Sequence, residues 1–285
     1  MKKILITGAN SYIGTTFEKY MTNFEGYTIE TVDMIDGSWR EKDFSGYDTV
    51  FHVAGIAHAD VGNVSEEIKK KYYKINTDLT IETAQKAKKD GVGQFVFMSS
   101  MIVFGSKNKI ITANTIPSPD NFYGDSKLQA DIGIHKLQSD DFDVVSIRPP
   151  MIYGRGSKGN YPKLAKLAKI SPVFPACNNK RSMLYVENLC EFVRLIITNG
   201  GKGFYYPQNR EYVKTSQLVK TIASVKNKKV VLVPFVGGLI RLFSAKIKIL
   251  NKVFGDLAYD KSMSDYADWS YCISGFEESI EKTEK

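Results

Sequence analysis

Met1-Lys2-Lys3-Ile4-Leu5-Ile6-Thr7-Gly8-Ala9-Asn10-Ser11-Tyr12-Ile13-Gly14 opens the chain. Residues 1–7 are a short apolar run of strand length. The glycine-bearing turn that follows leads into a helical pattern carrying Ile13, Phe17, Tyr20 and Met21. Strand, glycine turn and helix in that order make a phosphate cradle. Gly8 allows the tight turn, and the helix N-terminus directs N–H groups and a partial positive charge at a pyrophosphate. Such a motif alone is weak, since a plain surface turn can share its composition; here it has the strand and the helix that the chemistry needs.

A second strand, residues 28–33, ends in Asp33, 25 residues after Gly8. An acid at that point accepts hydrogen bonds from a ribose hydroxyl and repels a 2′-phosphate, so NAD is favoured over NADP. Two alternatives stay open: Asp33 begins a turn, or the nearby Arg40 reaches a phosphate. Only 15 residues separate Asp33 from the next apolar run at residues 49–53. They hold an extended connection or a strand, but not a crossover helix and a strand together, so one element of the usual nucleotide-binding half is trimmed.

Farther along stands Tyr123-Gly124-Asp125-Ser126-Lys127, with Ser99-Ser100 upstream at the end of the apolar run 94–98. On a helix spanning 123–139, Tyr123 and Lys127 are four apart and share a face. A phenol with a reference pKa of about 10 moves protons near neutrality only if a positive charge stabilises its phenolate, and Lys127 supplies one. Ser100 is placed to bond a carbonyl or alcohol oxygen while Tyr123 transfers the proton. Tyr and Lys four apart also occur on ordinary solvated helix faces, so the pair gains its meaning from the cradle.

Taken together these segments resemble the extended short-chain dehydrogenase/reductase superfamily, in particular its NAD-dependent epimerase/dehydratase members: nucleotide-sugar 4-epimerases, dehydratases and 4-ketoreductases. Residues 7–14 resemble TGxxGxxG, with Ser11 at the middle glycine; residues 99–105 resemble SSxxVYG; residues 123–127 are YxxxK; residues 148–154 resemble RPxxVYG; and residues 181–189 resemble the RSLVxVxNL segment of the reductase-like branch. The resemblance implies an α/β fold: a Rossmann-type doubly wound parallel sheet over residues 1–150, followed by a smaller, interleaved C-terminal α/β region, residues 151–285, that binds the nucleotide sugar. It implies Ser100, Tyr123 and Lys127 as catalytic residues. Gly8, Asn10, Ser11, Tyr12, Ile13, Gly14, Asp33, Asp43, Phe44, Val53, Ala54, Gly55 and Pro150 are the implied cofactor contacts, joined by Tyr123 and Lys127. The implied substrate contacts are His58, Ser100, Met101, Asn160 and Arg181. Ser11 is small enough to bond a phosphate oxygen, so its presence predicts altered affinity rather than lost binding.

Several of these positions have a plainer reading beside the functional one. Asp43 fits a solvated turn, His58 a surface loop, and Asn76, within a long helix spanning residues 66–90, an ordinary helix-surface amide. Arg181 offers a guanidinium fork to a diphosphate, or an ion pair to Glu187. Residues 171–181 read as an irregular span that wraps a ligand. Residues 230–243 are the most apolar stretch, too short and too broken by Pro234, Gly237 and Gly238 for a membrane span; packing over the pocket is favoured, with a membrane-surface helix or a lipid-linked sugar as the other options.

The function implied is an NAD(P)-dependent enzyme acting at C4 of a nucleotide-diphosphate sugar, UDP-linked. As a 4-epimerase it passes through a transient 4-keto sugar. The alternative is a 4-ketoreductase of a UDP-4-keto-6-deoxy-hexose in surface polysaccharide synthesis. A 4,6-dehydratase is disfavoured because Met101 and Ile102 stand where its acid–base pair belongs, and a non-catalytic NAD(P)-binding sensor is disfavoured because Tyr123 and Lys127 are both intact. Composition agrees: 43% hydrophobic and 25% charged residues are ordinary for a globular protein, and a net charge of +8 suits anionic substrates. Three cysteines without CxxC spacing suggest neither disulfides nor a metal site, and a cytoplasmic protein is expected, without a signal peptide, nucleic-acid motif or transmembrane segment. Homodimerisation is a further implication of the resemblance.

Overall fold

The computed structural model describes residues 1–57, 64–234 and 253–285. In chain order the elements are β1 (Lys2–Thr7), α1 (Tyr12–Met21), β2 (Tyr27–Val32), β3 (Thr49–His52), α2 (Glu66–Tyr73), α3 (Leu79–Lys89), β4 (Gln94–Met98), β5 (Ile110–Ile111), α4 (Phe122–His135), β6 (Asp143–Ile147), β7 (Met151–Tyr153), α5 (Asn160–Ile170), β8 (Val173–Pro175), β9 (Met183–Tyr185), α6 (Val186–Thr198), β10 (Gly203–Tyr205), α7 (Thr215–Val225), β11 (Val231–Val233), β12 (Ala258–Tyr259) and α8 (Phe276–Glu284). They fall into two compact units. The first comprises Met1–Gly105, Ile116–Pro149 and Leu189–Pro207; the second comprises Ser106–Thr115, Pro150–Asn188 and Gln208–Lys285.

The first unit is built on a six-stranded sheet in the order β10-β6-β4-β3-β1-β2. All its pairings are parallel. Strands covered on both faces read as unbroken apolar runs, and Ile4, Leu5, Ile6, Phe95, Val96 and Phe97 have no exposed surface. From β1 the chain steps to β2 on one side and then to β3 on the other, so the carboxyl ends of β1 and β3 flank a topological switch point, where such sheets bind ligands. The trimmed element is real. After β2 there is a one-turn 3-10 helix, Ser38–Arg40, where a longer fold would have a crossover helix and another strand. The shortened connection is held by Trp39 and Phe44, which are drawn into the core beside Leu5, Val50 and Ala87. Arg40 does not reach toward a phosphate: it stacks on Trp39 at 4.6 Å and grips Glu82 through Nε and Nη2 at 2.5 and 2.7 Å.

The expected long helix over residues 66–90 is interrupted. A π-helical turn, Lys74–Asp78, lies between α2 and α3 and turns Asn76 inward.

The second unit contains three parallel two-stranded ladders, β7 with β9, β8 with β11 and β12 with β5, and packs α5 and α8 on α7. Its polar core centres on Tyr153, whose hydroxyl lies 2.6 Å from the Ser279 hydroxyl and accepts from Asn209 at 2.9 Å. The span 171–181 is less irregular than its prolines imply, because it contains β8. Of the apolar stretch 230–243, residues 230–234 are described and 235–243 lie outside the described residues. Among the described residues no helix is long and apolar enough to cross a membrane, and no group of side chains could hold a metal ion.

Candidate active site

The glycine turn forms as its sequence predicts. Gly8 has φ 113, a conformation that favours glycine, and a Cβ there would lie 2.8 Å from the Ala54 nitrogen. Asn10 is also left-handed, with φ 62. Ser11 caps α1: its Oγ accepts from the Gly14 N–H at 3.1 Å, which makes use of the hydroxyl that replaces the family glycine. Tyr12 and Ile13 begin the helix, and first-turn amides have no intrahelical acceptors. The N–H groups of Val53 and Ala54 both donate to the Thr7 carbonyl, at 3.1 and 2.9 Å, closing the crevice between β1 and β3. A cradle that a Cβ would fill, at the N-terminus of a helix and beside a switch point, fits a dinucleotide pyrophosphate.

Around this cradle the expected cofactor residues divide. Asp33 lies at the carboxyl end of β2, where its Oδ1 closes a turn by accepting from the Ile35 N–H at 2.7 Å. Asp43 is exposed in a turn, whereas Phe44 does not present itself to a ligand, contrary to the expectation drawn from the resemblance. The Asp43 carboxylate is taken up by the N–H and hydroxyl of Ser45. The Phe44 ring is wholly buried, and its N–H donates to Asp90 at 3.1 Å. The cause is the short connection after β2, which needs Phe44 as core.

Helix α4 carries Tyr123 and Lys127. Asn121 caps it by accepting from the Gly124 N–H at 3.0 Å, which sets the phase that puts Tyr123 and Lys127 on one face. Tyr123, half-buried, is hydrogen-bonded to the Ser100 hydroxyl; burial pushes its phenol up to about 12, and the Ser100 bond opposes that rise. Ser100 in turn accepts from the Ile102 N–H at 3.3 Å as it caps the one-turn helix Met101–Phe104. Lys127 is buried, with its ammonium donating to the Met98 carbonyl at 3.0 Å and lying 4.6 Å over the Phe97 ring. Burial brings it down to about 8, against the pull of Asp131. The expected lowering of the Tyr123 pKa by Lys127 is not what this arrangement shows: burial is the largest influence on the phenol and raises it, and Lys127 is not among the causes. Gly55 lets the loop after β3 pass this ammonium, since a Cβ there would lie 3.1 Å from Lys127 Nζ.

Beneath these side chains runs a buried polar network that motif spacing did not announce. Asp131, one turn beyond Lys127, accepts from Ser99 Oγ at 2.9 Å and from Arg148 Nε at 3.0 Å. It thus ties the strand that delivers Ser100 to the helix that delivers Tyr123. Asn76 is buried, not an exposed amide: it accepts from the Ile56 N–H at 2.8 Å and donates to the Ile56 carbonyl and Ser126 Oγ, so it clamps the loop holding Gly55. His52 is enclosed, with Nδ1 2.7 Å from Thr7 Oγ1 and Nε2 3.1 Å from Thr80 Oγ1. Thr80 already donates to the Asn76 carbonyl, so His52 carries its proton on Nε2 and accepts from Thr7 at Nδ1.

The expected substrate residues are less concentrated. Met101 is 5% exposed, beside Ser100. His58 lies outside the described residues. Asn160 and Arg181 belong to the second unit, as does Pro150, which was expected at the cofactor. There Pro150 is buried, Asn160 is exposed as the first residue of α5, and Arg181 Nη1 donates to the Gly255 carbonyl at 3.0 Å. Arg181 makes no ion pair among the described residues, and Glu187 faces Lys282 instead, at 3.9 Å.

Comparison with known proteins gives relatives along most of the chain. UDP-glucose 4-epimerase of Vibrio cholerae is 27% identical over 92% of this chain and 88% of its own. An Escherichia coli O157:H7 4-epimerase of N-acetyl-alpha-D-glucosaminyl-diphospho-ditrans,octacis-undecaprenol is 27% identical over 80% of this chain and 73% of its own. A dTDP-4-dehydrorhamnose reductase from Clostridium acetobutylicum superposes with a TM-score of 0.73 at 18% identity, covering 99% of this chain and 98% of that one. The family model that matches spans residues 4–206, from β1 through β10, and so takes in the cradle, Ser100, Tyr123 and Lys127. The chain belongs to the NAD dependent epimerase/dehydratase family of enzymes.

Proposed function

We propose that this chain is a 4-epimerase of a nucleotide-diphosphate sugar, UDP-linked, that works through a transient 4-keto sugar and retains NAD in the cradle at Gly8. The observation that carries this reading is the meeting of the Ser100 hydroxyl and the Tyr123 phenol one helical turn from the Lys127 ammonium. The similarity to UDP-glucose 4-epimerase along nearly the whole chain supports it.

Bound NAD supplies the hydride acceptor and donor for C4. Acting as tyrosinate in the loaded site, Tyr123 takes the C4 hydroxyl proton as the alcohol becomes a ketone, and as the phenol it gives the proton back when the alcohol re-forms. Ser100 holds the C4 oxygen. Lys127 supplies the positive charge that a tyrosinate requires, and a water-poor site strengthens the attraction between the two. With NAD returning the hydride to the opposite face of C4, no reductant would be consumed. Tyr12, Ile13 and Ser11 would hold the pyrophosphate, and the Asp33 carboxylate a ribose hydroxyl. Arg181 and Asn160 are the residues we assign to the sugar diphosphate.

The resemblance of residues 181–189 to the reductase-like branch favours a second reading, 4-ketoreduction. One experiment separates the two. Purified protein is given UDP-sugars and, separately, their 4-keto forms, with products resolved by anion-exchange chromatography and nicotinamide followed by absorbance. C4 isomers with no net change in cofactor are expected. Stoichiometric loss of NADH or NADPH, seen only with the 4-keto sugar, would replace the epimerase by the reductase.

A further inference from the structure

Charge is spread very unevenly along this chain. Residues 144–186 and 212–255 contain no Asp or Glu, yet hold 17 of the 39 Lys and Arg, 13 of them lysine, which leaves 22 basic against 31 acidic residues elsewhere. The described parts of both stretches lie in the second unit but for residues 144–149, and two of their strands run side by side. Strands β8 and β11 pair in parallel with Val173 opposite Val231, and the Lys228 ammonium donates to the Lys169 carbonyl at 2.7 Å.

Register partners point to the same face of a sheet. Val173 is 51% exposed and Val231 62%, while Ile170, at the end of α5, is 68% exposed. Aliphatic side chains are thus gathered in the open along one lip of the unit. Five exposed lysines rim it: Lys163, Lys166 and Lys169 from α5, and Lys228 and Lys229 before β11. Glu284 is ion-paired to Lys169 at 3.6 Å, whereas Lys163, Lys166 and Lys229 make no ion pair among the described residues.

We propose that this lip docks on the surface of an anionic phospholipid bilayer, with Ile170, Val173 and Val231 entering the headgroup boundary and the lysines meeting lipid phosphates. Lysine around exposed aliphatic residues is the chemistry of a bilayer interface. Single-stranded nucleic acid selects arginine and stacking aromatics instead. A second copy of this chain would bring the same lysines face to face, which charge repulsion opposes. The docking holds whichever sugar reaction the chain performs.

The test is sedimentation of the whole protein with vesicles of phosphatidylglycerol and phosphatidylcholine in equal parts, against vesicles of phosphatidylcholine alone, at low and physiological salt. Binding only to the anionic vesicles, weakened by salt, is expected. At roughly fivefold per lysine, Lys163→Glu with Lys166→Glu and Lys229→Glu lowers the partition coefficient roughly a hundredfold or more. Val173→Asp with Val231→Asp lowers it as well, and circular dichroism shows both variants folded, since every changed side chain is exposed. Lys70→Glu with Lys71→Glu, on the exposed face of α2, leaves binding nearly unchanged. Failure to bind anionic vesicles, equal loss in the α2 control, or a dimer in sedimentation equilibrium that Val173→Asp dissociates would each overturn the proposal.

Discussion

Replacing His52 by glutamine should remove much of the protein's acid lability. The imidazole has no exposed surface, stacks on Phe95 at 5.6 Å, and is hydrogen-bonded on both nitrogens to threonine hydroxyls. Burial, and after it the Lys127 charge, push its pKa down from 6.5 to about 3. The sign follows from linkage: between those values the unfolded chain holds a proton that the folded chain refuses. Stability from this group is therefore complete above pH 6.5 and is lost as pH falls toward 3. At 1.36 kcal/mol per pH unit the whole loss is roughly 5 kcal/mol, and about 2 kcal/mol is already gone at pH 5. That is a large share of the roughly 5–15 kcal/mol that holds a domain together.

The glutamine side chain keeps an acceptor for Thr7 and a donor for Thr80 but does not titrate. The assay is urea unfolding between pH 7.5 and pH 5, followed by the fluorescence of the buried Trp39. His135, also lowered by burial, titrates in both proteins and cancels in the difference. The wild type should lose about 2 kcal/mol more than His52→Gln across that window. Equal slopes for the two proteins would refute the claim that His52 is held neutral.

Three other outcomes are expected. Tyr123→Phe removes the proton carrier and should lower kcat by roughly 10²–10⁴ with little change in melting temperature, as read by a chromatographic turnover assay and by thermal melts. Burial leaves Lys127 with a pKa of about 8, so its ammonium is present below that pH and lost above it; kcat measured from pH 7 to pH 10 should fall on the alkaline side of 8, and Lys127→Met should be inactive at every pH. Asp131→Asn strips the buried Arg148 of its carboxylate partner, the two side chains being 0% and 6% exposed. That should cost roughly 3–5 kcal/mol by chemical denaturation and move the alkaline fall of kcat to lower pH, because Asp131 supports the Lys127 charge.

Much of this site was legible because its parts are local. The β1 turn and α1 are set by strand and helix periods within 21 residues of the start, and Tyr123 with Lys127 by a single helical turn. The missing crossover was legible too, from the count of residues between Asp33 and residue 49. What escaped was long-range polar pairing. His52 finds Thr7 across 45 positions, Asn76 finds Ser126 across 50, and Arg148 finds Asp131 across 17; hydrophobic periodicity is blind to all three. Asn76 was further hidden by the π-helical turn, which a pattern of 3.6 residues per turn cannot foresee. At Phe44 the resemblance misled, because a position that faces adenine in a longer fold becomes core once the connection after β2 is cut short.

The most direct test of the epimerase reading is the fate of a deuterium placed at C4 of UDP-glucose and followed by NMR and mass spectrometry of the nucleotide-sugar pool. The account predicts UDP-galactose that retains the label at C4, with no deuterated NADH accumulating, since the hydride that leaves C4 returns to it. Label lost to the cofactor or to water, or no C4 isomer from either UDP-glucose or its N-acetylated counterpart, would contradict it.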